Sequence, residues 1–424
     1  MKLLLINPHP GRREMPVYPL GLAALAAGLR EVEVRGCDLQ LADDPVAALR
    51  AALRAFEPDI AGISMRNVDS SASYDRFFYY PAFVSVVRQV RQQRPRTCIV
   101  AGGTGFSLFA EAIMDALPEI DFGVPLEGEA AFPDLLAHLA APEQVAGIVC
   151  RANGKACPAA PRQAVDVTSL LPPAYAVFPP GAYAARGAAI GVQTKRGCAF
   201  RCVYCTYPYL DGGPIRLRPA EAVAEELELL VRQGICDVFF CDSIFNFPPE
   251  HAEAVCRAII RRGLRLRWKA FFNERFVTDG QIGLARAAGC EFLIFGPDAG
   301  HPATLARYHK DLDINQMEAA YAACRRAGMP FKCAFMMNGP GETIATLAQT
   351  LALIARLRAR APMAFSLSTM RIYPHTDLHA EALRRGQARS GDALIKPRFY
   401  DPFPLKILTA VISAGEHALY RLRH

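Results

Sequence analysis

Short apolar runs alternate with helix-period segments twice along this 424-residue chain, and that double alternation restricts its fold more than any other feature. In the first series, runs 2–7, 32–34 (continuing towards Asp38), 60–64, 98–103 and 121–124 read as strands. Segments 20–29, 45–56, 83–93, 107–117 and 131–139 read as the helices between them. Strands this apolar have no polar face to offer water, so they belong in a parallel sheet covered on both sides. The expectation for residues 1–145 is a doubly wound, flavodoxin-like α/β domain whose ligand lies beyond the carboxyl ends of the strands.

Residues 146–185 are rich in Pro and Ala and poor in pattern, and read as a linker. A second series follows, with strands at 189–194, 237–241, 267–272, 292–295, 331–336 and 365–372 and helices between them, among them 220–232 and 251–262. Six βα units predict a partial (β/α)6 TIM-like barrel over 186–385, with its chemistry on the loops after the strands. A C-terminal extension, 386–424, ends in an amphipathic helix expected from 402 onward. No internal repeat is evident.

Composition narrows the function. With 52% hydrophobic and 21% charged residues, a large packed interior is feasible and disorder is not expected. Basic residues (48) exceed acidic ones (41) by seven, a diffuse excess that suits an anionic ligand but not a nucleic-acid platform. No run of about 18 uncharged apolar residues occurs, so no membrane span is expected. Met1-Lys2-Leu3-Leu4-Leu5-Ile6 stops at Asn7-Pro8 without a small-residue cleavage site, which reads as a buried first strand of a cytoplasmic protein. Thirteen cysteines, an odd number without a secretory leader, argue for metal binding or chemistry rather than a disulfide framework.

Three of those cysteines stand together just past the first barrel strand, in Lys195-Arg196-Gly197-Cys198-Ala199-Phe200-Arg201-Cys202-Val203-Tyr204-Cys205. Thiols at this spacing on one loop can each take a corner of a single cluster. A tetrahedral zinc site would need a fourth ligand that no nearby Cys or His supplies. A four-iron cluster held by three cysteines keeps one iron open to chelate a substrate. The plain alternative is three unrelated core thiols.

The segment resembles the CxxxCxxC motif of radical S-adenosylmethionine (SAM) enzymes, including the aromatic Tyr204 before the last cysteine. The resemblance implies that Cys198, Cys202 and Cys205 hold a four-iron four-sulfur cluster, that the open iron binds SAM, and that an external one-electron reductant of flavodoxin or ferredoxin type feeds it. It extends to the later strand ends. There Asp242 and Ser243, then Asn273, Glu274 and Arg275, then Gly296 and Asp298, become candidates for SAM contacts. Arg216-Leu217-Arg218-Pro219 precedes a helix often seen after the cluster loop, and Gly339-Pro340-Gly341-Glu342-Thr343 resembles the family's glycine-rich loop near the adenine. Capping of loops and helices is the alternative for each residue taken singly. Cys241, Cys290, Cys324 and Cys333 lie apart from the motif and read as core filling, with a second thiol role open for Cys333.

The first domain resembles the cobalamin-binding domain that precedes the barrel in one branch of that superfamily. The carriers are Pro19-Leu20-Gly21-Leu22, the Gly102-Gly103-Thr104 turn, Ser64-Met65-Arg66-Asn67 and Glu127-Gly128-Glu129. Ser64, Arg66, Asn67, Gly102, Gly103, Thr104, Glu127 and Gly128 are thus the candidate cobalamin contacts. The Asp-x-His-x-x-Gly motif that brings a histidine to cobalt in other such domains is missing, which leaves Arg66 or Asn67 to face the metal.

The function this implies is methylation of an unactivated carbon of a small molecule through methylcobalamin and a 5′-deoxyadenosyl radical. Three other readings stay open at this point: a cyclase or rearrangement enzyme, transfer of SAM's 3-amino-3-carboxypropyl group, and a non-catalytic cobalamin- or metal-sensing module. Tyr373, His375, Asp377 and residues 400–403 are candidates for a substrate pocket or for ordinary loop packing.

Overall fold

The side chains of Leu3, Leu4, Leu5 and Ile6 are shut off from solvent, and the strand they form, β1 (Lys2–Asn7), stands at the turning point of the first sheet. The structure is a computed structural model that describes residues 1–412 except 13, 72–75 and 361–363. From β1 the chain runs through α1 (Leu20–Ala27), β2 (Glu33–Asp38), α2 (Pro45–Phe56), β3 (Ile60–Ser64), α3 (Tyr80–Gln93) and β4 (Cys98–Gly102). It continues through α4 (Thr104–Ser107), α5 (Ala110–Ala116), β5 (Phe122–Val124) and α6 (Gly128–Ala137). The sheet order β2-β1-β3-β4-β5, parallel throughout, reverses direction between β1 and β3. That is the doubly wound arrangement expected from the sequence.

The helices form where local signals converge. In α2, Pro45 occupies the first turn, Asp44 accepts from the Val46 and Ala47 amides, and Leu49, Leu53 and Phe56 bury one stripe. Burying each of these three contributes about 1.5–3 kcal/mol. The single helix expected at 107–117 is instead two, α4 and α5. Ser107 donates its hydroxyl back to Gly103 O and accepts the Leu126 amide at 2.7 Å, ending the first turn before Ala110 begins the next.

The stretch expected as a linker is ordered. β6 (Val149–Ala152) and β7 (Lys155–Pro158) form a hairpin that pairs antiparallel with β5. Its turn, Asn153-Gly154, has both residues at positive φ, the two-residue reversal whose twist matches paired strands. Further on, α7 (Gly181–Ala184) buries Tyr183, whose hydroxyl donates to Asp38 at 2.7 Å while Asn7 donates to both.

The second sheet contains β8 (Ile190–Val192), β11 (Asp237–Phe240), β12 (Arg267–Phe272), β13 (Cys290–Asp298), β14 (Phe331–Met337) and β15 (Ala364–Thr369), in the order β15-β14-β13-β12-β11-β8. The strands follow the order of the barrel series in space, and the pairings from β11 through β15 are parallel, as a partial barrel requires. A two-stranded ribbon, β9 (Lys195–Arg196) with β10 (Arg216–Leu217), follows β8, and α8 (Tyr207–Leu210) lies inside the loop it closes. The covering helices are α9 (Ala220–Arg232), α10 (Pro249–Arg261), α11 (Asp279–Ala287), α12 (Pro302–Arg307), α13 (Ile314–Arg326), α14 (Ile344–Arg360) and α15 (Asp377–Arg384). Trp268, Phe240, Phe245 and Phe272 pack together in the core, and the indole N–H donates to Ala288 O.

β13 is longer than expected, and its register against β14 slips between Phe295 and Asp298, which leaves Asp298 at φ +63°. Residues 405–412 are helical; the remainder of the expected C-terminal helix, 413–424, lies outside the described residues. No helix among the described residues is long and apolar enough to cross a membrane.

Candidate functional site

The cysteine loop leaves the barrel at the end of β8 and is fastened at its neck. The β9–β10 ladder closes it, and Gly197 (φ +96°) passes so near Pro214 that an added Cβ would lie 2.1 Å from the carbonyl oxygen. Only glycine fits there. Cys198 N donates to Gly212 O at 3.0 Å, and Ser243 Oγ to Gly197 O at 3.1 Å. Val203 N donates to Tyr308 O, Leu378 N to Val203 O and Cys205 N to Cys202 O, so the segment between the last two cysteines is held on both edges.

Burial raises the Cys202 thiol and pushes Cys205 up to about 12, and each thiol also feels the negative charge of its neighbours. Thiols raised in this way, as Cys202 and Cys205 are, release their protons only to a strong cationic centre. The donor set therefore fits a thiolate-ligated iron–sulfur cluster, whose irons supply that charge.

Asp242, expected to meet SAM, is turned inward. It accepts from Thr194 N (2.8 Å), Thr194 Oγ1 (2.6 Å) and Lys195 Nζ (3.1 Å), and the ion pair is almost wholly buried. Lys195 also donates to Phe245 O, so this group anchors the neck of the loop. A second buried pair, Arg218–Glu226 at 2.6 Å, ties the start of α9 to the same region.

Asp298 is likewise committed, to Tyr204 OH at 2.7 Å and Lys310 Nζ at 3.0 Å. Glu274 is buried and accepts from Tyr321 OH at 2.9 Å, and burial pushes its carboxyl up to about 7. Asn273 caps the turn that follows it through the Arg275 amide, and Arg275 pairs with Asp311. Each of these groups thus has a partner within the protein. Ser243 is half-buried and Gly296 neighbours Lys310 and Asp298. Gly339 donates its N–H to Tyr308 OH at 3.1 Å, and Gly341 turns the chain at φ +74°.

Glu342 closes that last loop by accepting Asn338 N at 2.5 Å, while its other oxygen has no partner among the described residues. Burial pushes its carboxyl from 4.5 to about 7. The folded state therefore holds this proton more tightly than the unfolded chain does. The stabilisation is full below pH 4.5 and is lost as pH rises to about 7, a window worth about 3 kcal/mol. Denaturant unfolding at pH 5 and pH 8 will show that Glu342→Gln flattens this part of the pH dependence.

His375 (φ +63°) stacks on Tyr209 with ring centroids 3.8 Å apart and planes 5° from parallel, while Tyr373 lies beneath Arg371. Asp377 faces His309 at 3.6 Å, and Tyr400 is buried. Cys333, within β14, is fully buried and bonded to Tyr321, and Cys290 and Cys324 are also buried thiols, as core filling requires. Tyr308, Lys310 and Tyr321 escaped the sequence reading because none ends a strand or belongs to a motif, and Lys195, although it opens the cysteine segment, carried no local sign of its buried partner.

In the first domain a solvent-open cleft lies at the carboxyl ends of β1 and β3, where the strand order reverses. Ser64, Met65, Arg66 and Asn67 line it together with residues 7–10, Glu14, Gln40, Tyr79 and Phe83. The Gly102-Gly103 turn stands behind this wall. A Cβ on Gly103 (φ +97°) would lie 2.7 Å from both Met65 O and Ser64 Oγ, and Thr104 Oγ1 donates to Arg66 O at 2.6 Å. The glycine thus makes room for the 64–67 backbone. Glu127 accepts the Val165 amide, and Gly128 begins α6. His9 Nδ1 accepts from Gly11 N at 3.0 Å, which places the proton of the neutral ring on Nε2, away from metal ligation. The cleft at the switch point thus has polar and aromatic walls, with His9 among the residues that line it.

Strand ends that fasten a three-thiol loop, preceded by a doubly wound domain with a cleft at its switch point, define a class of two-domain iron–sulfur enzymes. The family model for the radical SAM superfamily matches residues 192–354, and that for the B12 binding domain matches residues 11–136. The chain belongs to the cobalamin-binding radical SAM family, with a four-iron four-sulfur cluster, SAM and cobalamin as its cofactors. An uncharacterized methyltransferase of Pyrococcus horikoshii, PH0819, is 28% identical over 81% of this chain and 75% of that protein. Tryptophan 2-C-methyltransferase of Streptomyces laurentii is 26% identical over 88% of this chain and 73% of its own length. In fold, the radical SAM methyltransferase TsrM of Kitasatospora setae, solved with cobalamin and a [4Fe-4S] cluster, has a TM-score of 0.81 at 24% identity. That match covers 92% of this chain and 79% of the TsrM chain. The protein is accordingly an enzyme, a cobalamin-dependent radical SAM methyltransferase.

Proposed function

We propose that this enzyme methylates an unactivated carbon of a small-molecule acceptor in the cytoplasm, drawing electrons from a flavodoxin- or ferredoxin-type donor. The observation that supports it best is the loop of Cys198, Cys202 and Cys205, clamped on every side beside the strand ends that would receive SAM. Together the bound cofactors supply a methyl group, its carrier and a one-electron path.

The protein's part is positioning and exclusion of water. Cys198, Cys202 and Cys205 hold the cluster. Gly296, the Gly341 turn and half-buried Ser243, whose hydroxyl also donates to Gly197 O, offer SAM a surface at the strand ends, while Asp242, Asp298 and Glu274 are engaged with the protein itself. Ser64, Arg66 and Asn67 form the wall against which the corrin lies, with Gly103 and Thr104 supporting it.

Anaerobically reconstituted protein is expected to bind about four irons per chain and a stoichiometric corrinoid. With reductant and methyl-labelled SAM it is expected to yield S-adenosylhomocysteine and a carbon-methylated product. 5′-Methylthioadenosine as the main product would instead mean transfer of the aminocarboxypropyl group. Gly103→Val separates the two domains' roles. It is expected to weaken corrinoid retention by about tenfold or more, at least 1.4 kcal/mol, while iron content stays at the wild-type level, as metal analysis and visible absorbance will show.

A further inference from the structure

Lys310 is a buried cation fastened to the cysteine loop by two independent routes. The first is backbone. Lys310 N donates to Leu305 O, closing the turn after α12, and Tyr308 O in that turn accepts from Val203 N at 3.1 Å, between Cys202 and Cys205. The second is side chain. Lys310 Nζ reaches Asp298 Oδ2 at 3.0 Å, and the same oxygen accepts from Tyr204 OH at 2.7 Å. Tyr204 immediately precedes Cys205, so the ammonium, one carboxylate oxygen and the loop form a single chain of contacts. Asp298 holds its place at φ +63°, where the β13 register slips.

This is a costly way to fasten a loop. The Lys310 side chain is 14% exposed and that of Asp298 3%, and burying two ions carries a desolvation penalty. Apolar side chains of the same shape would hold the backbone at less expense, but they would bring no charge. The ion pair and the Val203–Tyr308 backbone bond instead fix the Lys310 charge against the loop that carries Cys202 and Cys205. The other charged groups nearby are Asp298, whose carboxylate opposes the ammonium from between it and Tyr204, and Glu274, whose negative charge is weakened by burial and which accepts from Tyr321 OH.

A cubane of four irons and four sulfides ligated by three thiolates is an anion, and each electron added makes it more so. A fixed ammonium held against the loop of its ligands favours the reduced form. Resting on the reading that Cys198, Cys202 and Cys205 hold the cluster, we propose that Lys310 is a positioning residue for electron uptake. Its ammonium, held by Asp298 and Tyr204, offsets the cluster's negative charge and raises its reduction potential.

The test uses the full chain, reconstituted anaerobically with iron and sulfide and titrated electrochemically without SAM, with the reduced cluster followed by electron paramagnetic resonance. Lys310→Met is expected to load iron normally but to lower the reduced-to-oxidised ratio at fixed potential about tenfold, equivalent to 59 mV for a one-electron couple. Lys310→Arg is expected to stay near the wild-type midpoint. A Lys310→Met midpoint equal to wild type, or a Lys310→Arg midpoint as low as that of Lys310→Met, overturns the proposal. Should Lys310→Met take up no iron, Lys310→Arg decides: normal loading at the wild-type midpoint assigns the role to the charge, and failure to load assigns Lys310 to packing and overturns it. Failure of the wild-type chain to assemble a cluster would instead defeat the reading of the three cysteines.

Discussion

Cys202→Ala is expected to abolish turnover while leaving the barrel folded, and the same holds for Cys198→Ala and Cys205→Ala. With one ligand gone, two thiolates remain for a cubane that needs three protein corners, and iron uptake falls with it. Methyl transfer then drops at least about 1000-fold, or 4 kcal/mol of transition-state stabilisation. The fold survives because the loop does not depend on its sulfurs. The bonds from Cys198 N to Gly212 O, Val203 N to Tyr308 O and Leu378 N to Val203 O are all main-chain, and the β9–β10 ribbon still closes the neck. Iron content, SAM turnover and thermal unfolding measured together check the claim. A cysteine variant that keeps full activity would end the enzymatic reading.

Asp242→Ala should do the opposite, breaking the fold before the chemistry. Removal of the carboxylate strands the Lys195 ammonium, 2% exposed, with Phe245 O and the face of the Phe245 ring as its remaining contacts. It also frees the Thr194 hydroxyl and amide. Leaving one half of a buried pair without its partner costs about 3–5 kcal/mol, which for a domain of this size lowers the melting temperature by about 10 °C. Replacing both partners, Lys195→Met with Asp242→Leu, should recover most of the loss, and a double-mutant cycle reads the coupling directly. If Asp242→Ala instead melts like wild type and only weakens SAM binding, the residue faces ligand, as its place at a strand end first suggests.

The contrast between these two variants shows why some of the site could be read in advance and some could not. The cysteines declare themselves by spacing within eight residues, and their loop position follows from the apolar strand before them. The strands themselves are legible because burial on both faces demands unbroken apolar runs, as in Leu3-Leu4-Leu5-Ile6. Ser64, Arg66 and Asn67 fall at the cleft for a similar reason, since the end of the third strand in a doubly wound sheet borders the switch point. The hairpin at 149–158 carried a local signal in Asn153-Gly154, but strands of four residues each are too short to show a period.

Asp242, Asp298 and Glu274 looked like ligand contacts because polar residues at barrel strand ends often are. What each does depends on a partner that no local pattern names: Lys195 lies 47 residues from Asp242, Tyr204 94 from Asp298, and Tyr321 47 from Glu274. The amino-acid sequence by itself determined the two-domain α/β plan and the trio of thiols, since periodicity and spacing act over a few residues. Tertiary structure alone decided which carboxylates are spent on internal ion pairs and which strand ends stay open. A buried charge must find its counter-charge wherever the fold brings one within reach, and that distance is set by packing, not by sequence separation.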